Sequence, residues 1–282
     1  MRAFQGSSAF SFTVKYYITI NIKQASNYLT GFQSSGLMLV LSLFRQISEV
    51  STSDFMRVYT QGGLISPVLA NVYLHYVLDL WFDKVWRKQC KGGAYMVRYA
   101  DDFVCMFQYE SEAKGFFREL ELRLGKFNLK LAKDKSRIFR FGRFAKQNSA
   151  EGKTETFDFL GFTHINGKTL TGKYTVVHRT SKKKLKVKKQ TVKDWLVANT
   201  HGKPSDIIKL LNRKLVGHYR YYGVSGNYEG LLKFYRFIVS ELYNRLIRRS
   251  QRAYLSWRRY QSLLEKHPII KPKIYVDIWQ AL

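Results

Sequence analysis

Acidic residues are in short supply in this chain. Asp and Glu number 20 against 48 Lys and Arg, a formal net charge of +28 over 282 residues. Self-repulsion of that size works against a compact state and asks for a polyanionic partner, nucleic acid first and an anionic membrane surface second. Cysteine is almost absent. Cys90 and Cys105 have neither metal-ligand spacing nor enough partners for a disulfide framework, so a reducing, cytoplasmic setting is expected. Long apolar runs are missing too. Leu37 to Phe44 is apolar apart from Ser42, far short of the roughly 20 residues of a membrane span. No continuous apolar stretch follows Met1-Arg2, as a secretory leader requires. The expectation is a soluble protein without a membrane partner. Aromatic residues, by contrast, abound, with 19 Tyr and 20 Phe, which argues against general disorder. The length allows a sizeable core in one large domain or two smaller ones.

The chemistry is concentrated at Tyr99-Ala100-Asp101-Asp102. Alternating apolar runs flank it, Tyr95 to Arg98 and Phe103 to Phe107, so the acidic pair is predicted at the tight turn of a β-hairpin. Adjacent carboxylates on an apolar hairpin are costly without a positive partner. Carboxylate oxygens suit Mg²⁺, and paired ions can clamp the attacking and leaving oxygens of a phosphoryl transfer. Taken alone, the four residues also read as an ordinary polar turn.

Around this stretch, Phe10 to Ile22 alternates as one long strand that must be paired with something. Leu37 to Ile47 reads as a short buried helix. Gln61-Gly62-Gly63-Leu64-Ile65 leads into Ser66-Pro67, an N-cap with proline at the first helical position. The helix that follows carries the stripe Leu69, Val72, Tyr73, Tyr76, Leu80 and Trp81 and ends near Gly92-Gly93. Gly62 and Gly63, lacking Cβ atoms, let the backbone approach a base or sugar closely, or they form a simple helix-entry turn. Glu112 to Leu124 is a second amphipathic helix, with Phe116, Phe117, Leu120 and Leu124 on one face. Ile138 to Phe141 and Phe157 to Phe162 read as strands, and Asn166-Gly167 as the type I′ turn of a hairpin reaching Tyr174 to Val177.

The run Lys182-Lys183-Lys184-Leu185-Lys186-Val187-Lys188-Lys189 suits a solvated linker or a phosphate-binding segment equally. Beyond it the chain is helical. Ser205 is predicted to cap a helix carrying Ile208, Leu211 and Leu215; Asn227 caps another through Leu231, Tyr235, Ile238, Leu242 and Leu246; a third stops at Pro268. Arg213, Arg245, Arg248 and Arg249 lie alongside these stripes as candidate RNA contacts. No internal repeat is present. Strands and helices mixed without strict alternation give an α+β class, an antiparallel sheet with helices on one face, followed by an α-helical region.

Three motifs stand in one order: Gln61-Gly62-Gly63-Leu64-Ile65-Ser66-Pro67-Val68-Leu69-Ala70-Asn71, Tyr99-Ala100-Asp101-Asp102 and Phe159-Leu160-Gly161-Phe162. Together they resemble the palm of a reverse transcriptase, most of all the proteins encoded by group II introns, over residue 58 to the end. The resemblance implies RNA-directed DNA polymerase activity, in which a primer 3′-hydroxyl attacks the α-phosphate of an incoming deoxynucleotide on an RNA template. It also implies binding of group II intron RNA and a splicing, or maturase, role. By the same resemblance Asp101 and Asp102 are the catalytic pair and hold two Mg²⁺ ions. Gln61, Gly62, Gly63, Ser66, Pro67, Tyr99, Ala100 and Lys135 then lie against template and nucleotide, and Phe159, Leu160, Gly161 and Phe162 grip the primer. Leu211-Asn212 and Gly217 to Tyr222 resemble the thumb or maturase region, which places Arg220 on RNA. The family usually has Trp where His218 stands, and His218 reads as a packing residue. The cluster Tyr219, Tyr221 and Tyr222 either stacks bases or caps a helical core.

Two departures accompany the resemblance. A third carboxylate is expected on a strand ahead of the glycine motif, and the nearest match, Ile20-Asn21-Ile22-Lys23, offers Asn21 instead. No cysteine pairs of a zinc-bearing endonuclease domain follow, so target-DNA cleavage is not expected. The implied division is an atypical segment over 1–58 in place of most of the fingers, a palm over 59–177, a basic linker over 178–204 and a helical thumb/maturase domain over 205–282. The rival readings are an RNA-binding maturase that does not polymerise and a catalytically incompetent remnant.

Overall fold

Alternating apolar residues set the framework of the first part of the chain. The computed structural model describes residues 16–23, 66–127, 129–145, 154–169, 171–249 and 255–278. The expected helix at 37–47, the loop Gln61 to Gly63 and the start of the Phe10 to Ile22 alternation lie outside them. The chain divides into two units, residues 1–155 and 156–282.

In the first unit, β1 (Tyr16–Lys23) pairs antiparallel with β3 (Asp102–Phe107) on one side and with β4 (Lys130–Leu131) and β5 (Arg137–Arg140) on the other. β2 (Ala94–Tyr99) adds to β3, so the sheet runs β2-β3-β1-β4, with β5 also on β1. The strand ahead of the glycine motif thus shares a sheet with the acidic hairpin, and residue 58 is no boundary between them. Register and a period of two put Ile18, Ile20, Phe103, Cys105 and Phe107 on one face. There they share a core with Leu74, Val77, Leu78 and Phe82 from one helical stretch and Ala113, Phe116, Leu120 and Leu124 from another. The opposite face carries Thr19, Asn21, Asp102 and Val104 in register with Val97 and Tyr99.

The first helical stretch opens as α1 (Ser66–Leu74), passes through π-helical turns at His75–Asp79 and Phe82–Trp86, and ends in α2 (Arg87–Gln89). The stripe expected at 3.6-residue spacing includes Tyr76, yet Tyr76 is 45% exposed and the buried positions are Val77 and the set Leu74, Leu78 and Phe82, four apart. A π turn closes i→i+5 bonds and takes more residues per turn, so the inward face follows the wider spacing. The second stretch, α3 (Glu110–Lys126), has Glu110 and Glu112 in its first turn and Arg123 and Lys126 in its last, each sign opposing the helix dipole there. Burial of Phe116, Leu120 and Leu124 contributes about 1.5–3 kcal/mol per side chain.

The second unit begins with a separate three-stranded sheet, β6 (Phe157–Phe159), β7 (Phe162–Lys168) and β8 (Tyr174–Thr180). The division therefore falls at 155/156, ahead of these hairpins, and not at 177. Asn166-Gly167 is not a turn. Both residues lie inside β7, opposite Val176 and Thr175, and the reversal comes at Thr169–Lys173. Seven ladder pairs over β7 and β8 outweigh the local turn preference. The two positive φ angles of a type I′ turn occur one hairpin earlier, at Leu160 (50°) and Gly161 (78°).

The basic run is a helix and not a linker: α4 spans Lys182–Ala198. Lysine is a good helix former, and Leu185, Val192 and Leu196 share a face that packs on the core of this unit. α5 (Pro204–Tyr222), α6 (Tyr228–Ile247) and α7 (Trp257–Lys266) complete it. Ser205 sits inside α5, whose N-cap is Lys203 with Pro204 at the first position. Asn227 does precede α6, but its side chain is turned to Thr180 and Tyr222. Leu211, Leu215, Tyr219, Leu231, Ile238 and Tyr260 form the centre of the core. Among the described residues no helix is long and apolar enough to cross a membrane.

Candidate functional site

The β2–β3 hairpin turns in two residues. Tyr99 pairs with Asp102, leaving Ala100 and Asp101 at the tip. Ala100 adopts φ 54°, a left-handed conformation that costs an L-residue with a Cβ on the order of 1–3 kcal/mol. Asp102 is exposed and Asp101 half-buried. Tyr99 stands 65% exposed and Val97 51%, so Tyr99 is not a core residue. By register it lies on the face opposite the one that packs on Leu74, Val77, Leu78 and Phe82.

Four further sequence-predicted positions belong to the same unit: Asn21, Lys135, Ser66 and Pro67. Asn21 is the register partner of Asp102, which puts positions 21 and 102 on one face, side by side. Lys135 is exposed in the turn between β4 and β5, which are paired with Ile22 and Thr19 and so flank Asn21. That turn is held by Lys135 N and Ser136 Oγ, both donating to the Ala132 carbonyl (2.9 and 2.8 Å). Ser66 and Pro67 head α1, where the Pro67 carbonyl accepts from Asn71 Nδ2 at 3.0 Å. Gln61, Gly62 and Gly63 lie outside the described residues.

One residue that sequence reasoning passed over ties these parts together. Arg98 lies on the helix-covered side of β2, opposite Phe103, with its side chain 12% exposed. Its Nε and Nη2 donate to the two carboxylate oxygens of Asp79 at 2.7 and 2.6 Å. Its Nη1 donates to Asn71 Oδ1 at 2.9 Å and to the Ala100 carbonyl at 3.0 Å. The available signal was an arginine beside an acidic turn and a lone aspartate in the apolar run Val77-Leu78-Asp79-Leu80.

The donor set at the turn is two adjacent carboxylates. That fits one hard divalent cation, which fills the rest of its octahedron with water and phosphate oxygens. Among the described residues no cluster of three or more His, Cys, Asp or Glu could hold a metal.

In the second unit, Phe159, Leu160, Gly161 and Phe162 form the β6–β7 hairpin. Its turn is held by helix α5 of the same unit. Tyr221 Oη donates to the Leu160 carbonyl at 2.9 Å, Phe162 stacks on Tyr221 with centroids 6.0 Å apart, and Tyr222 lies 5.2 Å from Phe162. The tyrosine cluster is thus used inside the unit, with Tyr219 fully buried. Of the candidate RNA contacts, Lys182, Lys183, Lys184, Lys186 and Lys188 are exposed on α4, as are Arg213, Arg220 and Arg248 on or just past α5 and α6. Lys189 lies over the Phe237 ring at 5.0 Å. Arg245 and Arg249 are drawn inward instead. Glu241, one turn earlier, holds Arg245 at 2.7 Å, and Arg249 Nη2 donates to the Gly202 carbonyl at 2.7 Å.

No curated protein matches the chain. A family model does, over residues 13–164, more than half of the chain. The match starts well before residue 58, because β1 belongs to the matched sheet, and it takes in the acidic hairpin and the Phe159 to Phe162 hairpin. Reverse transcriptases generally use divalent metal ions, which agrees with the carboxylate pair. The chain belongs to the reverse transcriptase (RNA-dependent DNA polymerase) family.

Proposed function

We propose that this protein is a group II intron-encoded reverse transcriptase in which residues 13–164 build the template-directed site and the helical second unit binds intron RNA and assists splicing. The carrying observation is the Asp101-Asp102 turn at the end of the central sheet of the matched region, with Tyr99 exposed beside it. In this reading Asp101 and Asp102 hold Mg²⁺, two ions in an active form, and the ion supplies neutralisation of phosphate charge when bound. The chain's own residues do the positioning. Lys135 meets the triphosphate, Tyr99 and Ala100 shape the floor under the nucleotide, and Ser66 and Pro67 with the loop Gln61 to Gly63 lie along the template. Phe159 to Phe162 steady the primer end, and the exposed lysines of α4 with Arg213, Arg220 and Arg248 hold RNA phosphates. Such transfers depend mainly on placement and charge.

A second reading is favoured by one observation, the register of Asn21 with Asp102. It holds that the chain binds and helps fold intron RNA without extending primers by itself. RNA-templated primer extension run beside a splicing assay on group II intron RNA decides between them. Extension abolished by Asp101→Asn, with RNA binding intact, supports the polymerase. Splicing stimulation without extension supports the second reading. RNA binding no better than that of an unrelated protein of equal charge overturns both.

A further inference from the structure

We propose that Arg98 is the positioning residue of the acidic turn: from beneath the sheet it holds the left-handed Ala100 peptide and so sets where Asp101 and Asp102 point. This rests on the reading of that pair as a metal site. The guanidinium has five N–H donors in a fixed plane. Here Nε and Nη2 are fixed as a fork on both oxygens of Asp79, which leaves Nη1 with a determined direction. Nη1 reaches Asn71 Oδ1 and the Ala100 carbonyl together. The fork therefore anchors in the helical stretch and its free end grips the turn.

The anchor itself depends on a local irregularity. Asp79 is the last residue of the π turn His75–Asp79. A π turn takes more residues per turn than a regular α-helix, and it is from this widened turn that Asp79 meets Arg98. Asn71, one bond further, also donates to the Pro67 carbonyl. A single side chain thus couples the head of α1 to the acidic tip. Ala100 needs such a hold, since φ 54° is a conformation that an alanine leaves readily unless its surroundings fix it.

Charge and position predict opposite signs here. Removing a cation near a divalent-ion site should by Coulomb's law tighten ion binding. If Arg98 acts by position, removing it loosens ion binding instead. The probe is Tb³⁺ alone with the full chain, read by luminescence sensitised through the exposed Tyr99. The wild type should give a saturable signal that disappears in Asp101→Asn. Arg98→Met should weaken Tb³⁺ binding by about 10-fold or more, as loss of a supporting partner around a metal site does. Adding Ala100→Gly, which takes φ 54° without strain, should recover most of that loss while the unfolding temperature stays at the Arg98→Met level. Recovery of affinity without recovery of stability is the mark of a positioning role. Should Arg98→Met fail to fold, Arg98→Lys keeps the charge on Asp79 but cannot span three acceptors, and the same loss and rescue are expected. Unchanged or tighter Tb³⁺ binding in Arg98→Met and Arg98→Lys, or no rescue by Ala100→Gly, overturns the inference with the metal site intact. No Asp101-dependent signal in the wild type overturns the metal reading, and this inference with it.

Discussion

His218→Phe should stabilise the protein and flatten its response to acid. His218 is 4% exposed, packed 4.2 Å from the Phe234 ring centroid and 4.8 Å from that of Tyr222, and neither ring nitrogen has a hydrogen-bond partner. A neutral imidazole carries one donor and one acceptor, and each buried unpartnered group costs about 1–3 kcal/mol. Phenylalanine removes both and keeps a planar ring, so a net gain of roughly 1–2 kcal/mol at pH 7.5 is expected after imperfect repacking. Burial, with Lys188 adding to it, pushes His218 down to about 4. The unfolded chain takes up a proton near 6.5 while the folded one does not until about 4, so stability is full above pH 6.5 and is lost as pH falls through that window. Between pH 7.5 and 4.5 the loss through this one residue is about 2.5 kcal/mol. Urea unfolding of the full chain, followed by near-UV circular dichroism at both pH values, measures both effects. His164 titrates in the same window, held at about 4 by burial and by His178, so the variant should keep part of the acid slope. A midpoint at pH 7.5 no higher than wild type, or an undiminished fall to pH 4.5, refutes the reasoning.

Two further outcomes follow from named residues. Gly161→Ala should cost about 2 kcal/mol or more, since φ 78° strains any side chain and the new Cβ would stand 2.8 Å from Tyr222 Oη; thermal unfolding checks it, and a neutral change would mean that the hairpin is not held as described. Replacing Lys182, Lys183, Lys184 and Lys186 by Gln should weaken RNA binding and reduce the slope of log affinity against log salt by about 0.7–0.9 for each phosphate no longer neutralised, measured by filter binding at several salt concentrations.

The parts of the molecule legible in the sequence were those where pattern and period agree. Phe116, Leu120 and Leu124 on α3, the two strands around Asp101-Asp102 and the helix after Ser66 all lie where alternation or helical spacing puts them. The misses have physical causes. The π turns at His75–Asp79 and Phe82–Trp86 changed the helical period and sent Tyr76 outward. Asn166-Gly167 was absorbed by a seven-residue ladder, while Leu160, a residue with no turn preference, took a positive φ because Gly161 follows it and Tyr221 holds its carbonyl. The lysine run looked like a linker because its buried positions, Val192 and Leu196, lie beyond its end. At the site, the carboxylates are visible in the sequence and their support is not, because Arg98, Asp79 and Asn71 meet only through folding over separations of 19 and 27 residues.

The same register that places Asn21 beside Asp102 makes a substitution there the sharpest test of what this chain can do. An asparagine offers a neutral carbonyl or an amide, whereas aspartate is acceptor-only and charged, the donor that a hard divalent ion prefers. Asn21→Asp would set a third carboxylate across the strand pair from Asp102, at the roughly 5 Å spacing of directly opposed residues. Without metal, like charges that close should lower stability, by about 0.2–1 kcal/mol on cross-strand precedent. With metal the sign reverses. A ligand at 100 times its dissociation constant stabilises the folded state by about 2.7 kcal/mol, so the variant's unfolding temperature should climb steeply with Mg²⁺ while the wild type's barely moves. Primer extension on an RNA template should follow the same order, weak in the wild type and faster in Asn21→Asp, and lost in both when Asp101→Asn is added. The thermal readout stands apart from activity. If Mg²⁺ shifts both proteins equally, the face shared by positions 21 and 102 is not where the ion sits; if the wild type extends primers as well as the variant, Asn21 is no deficit.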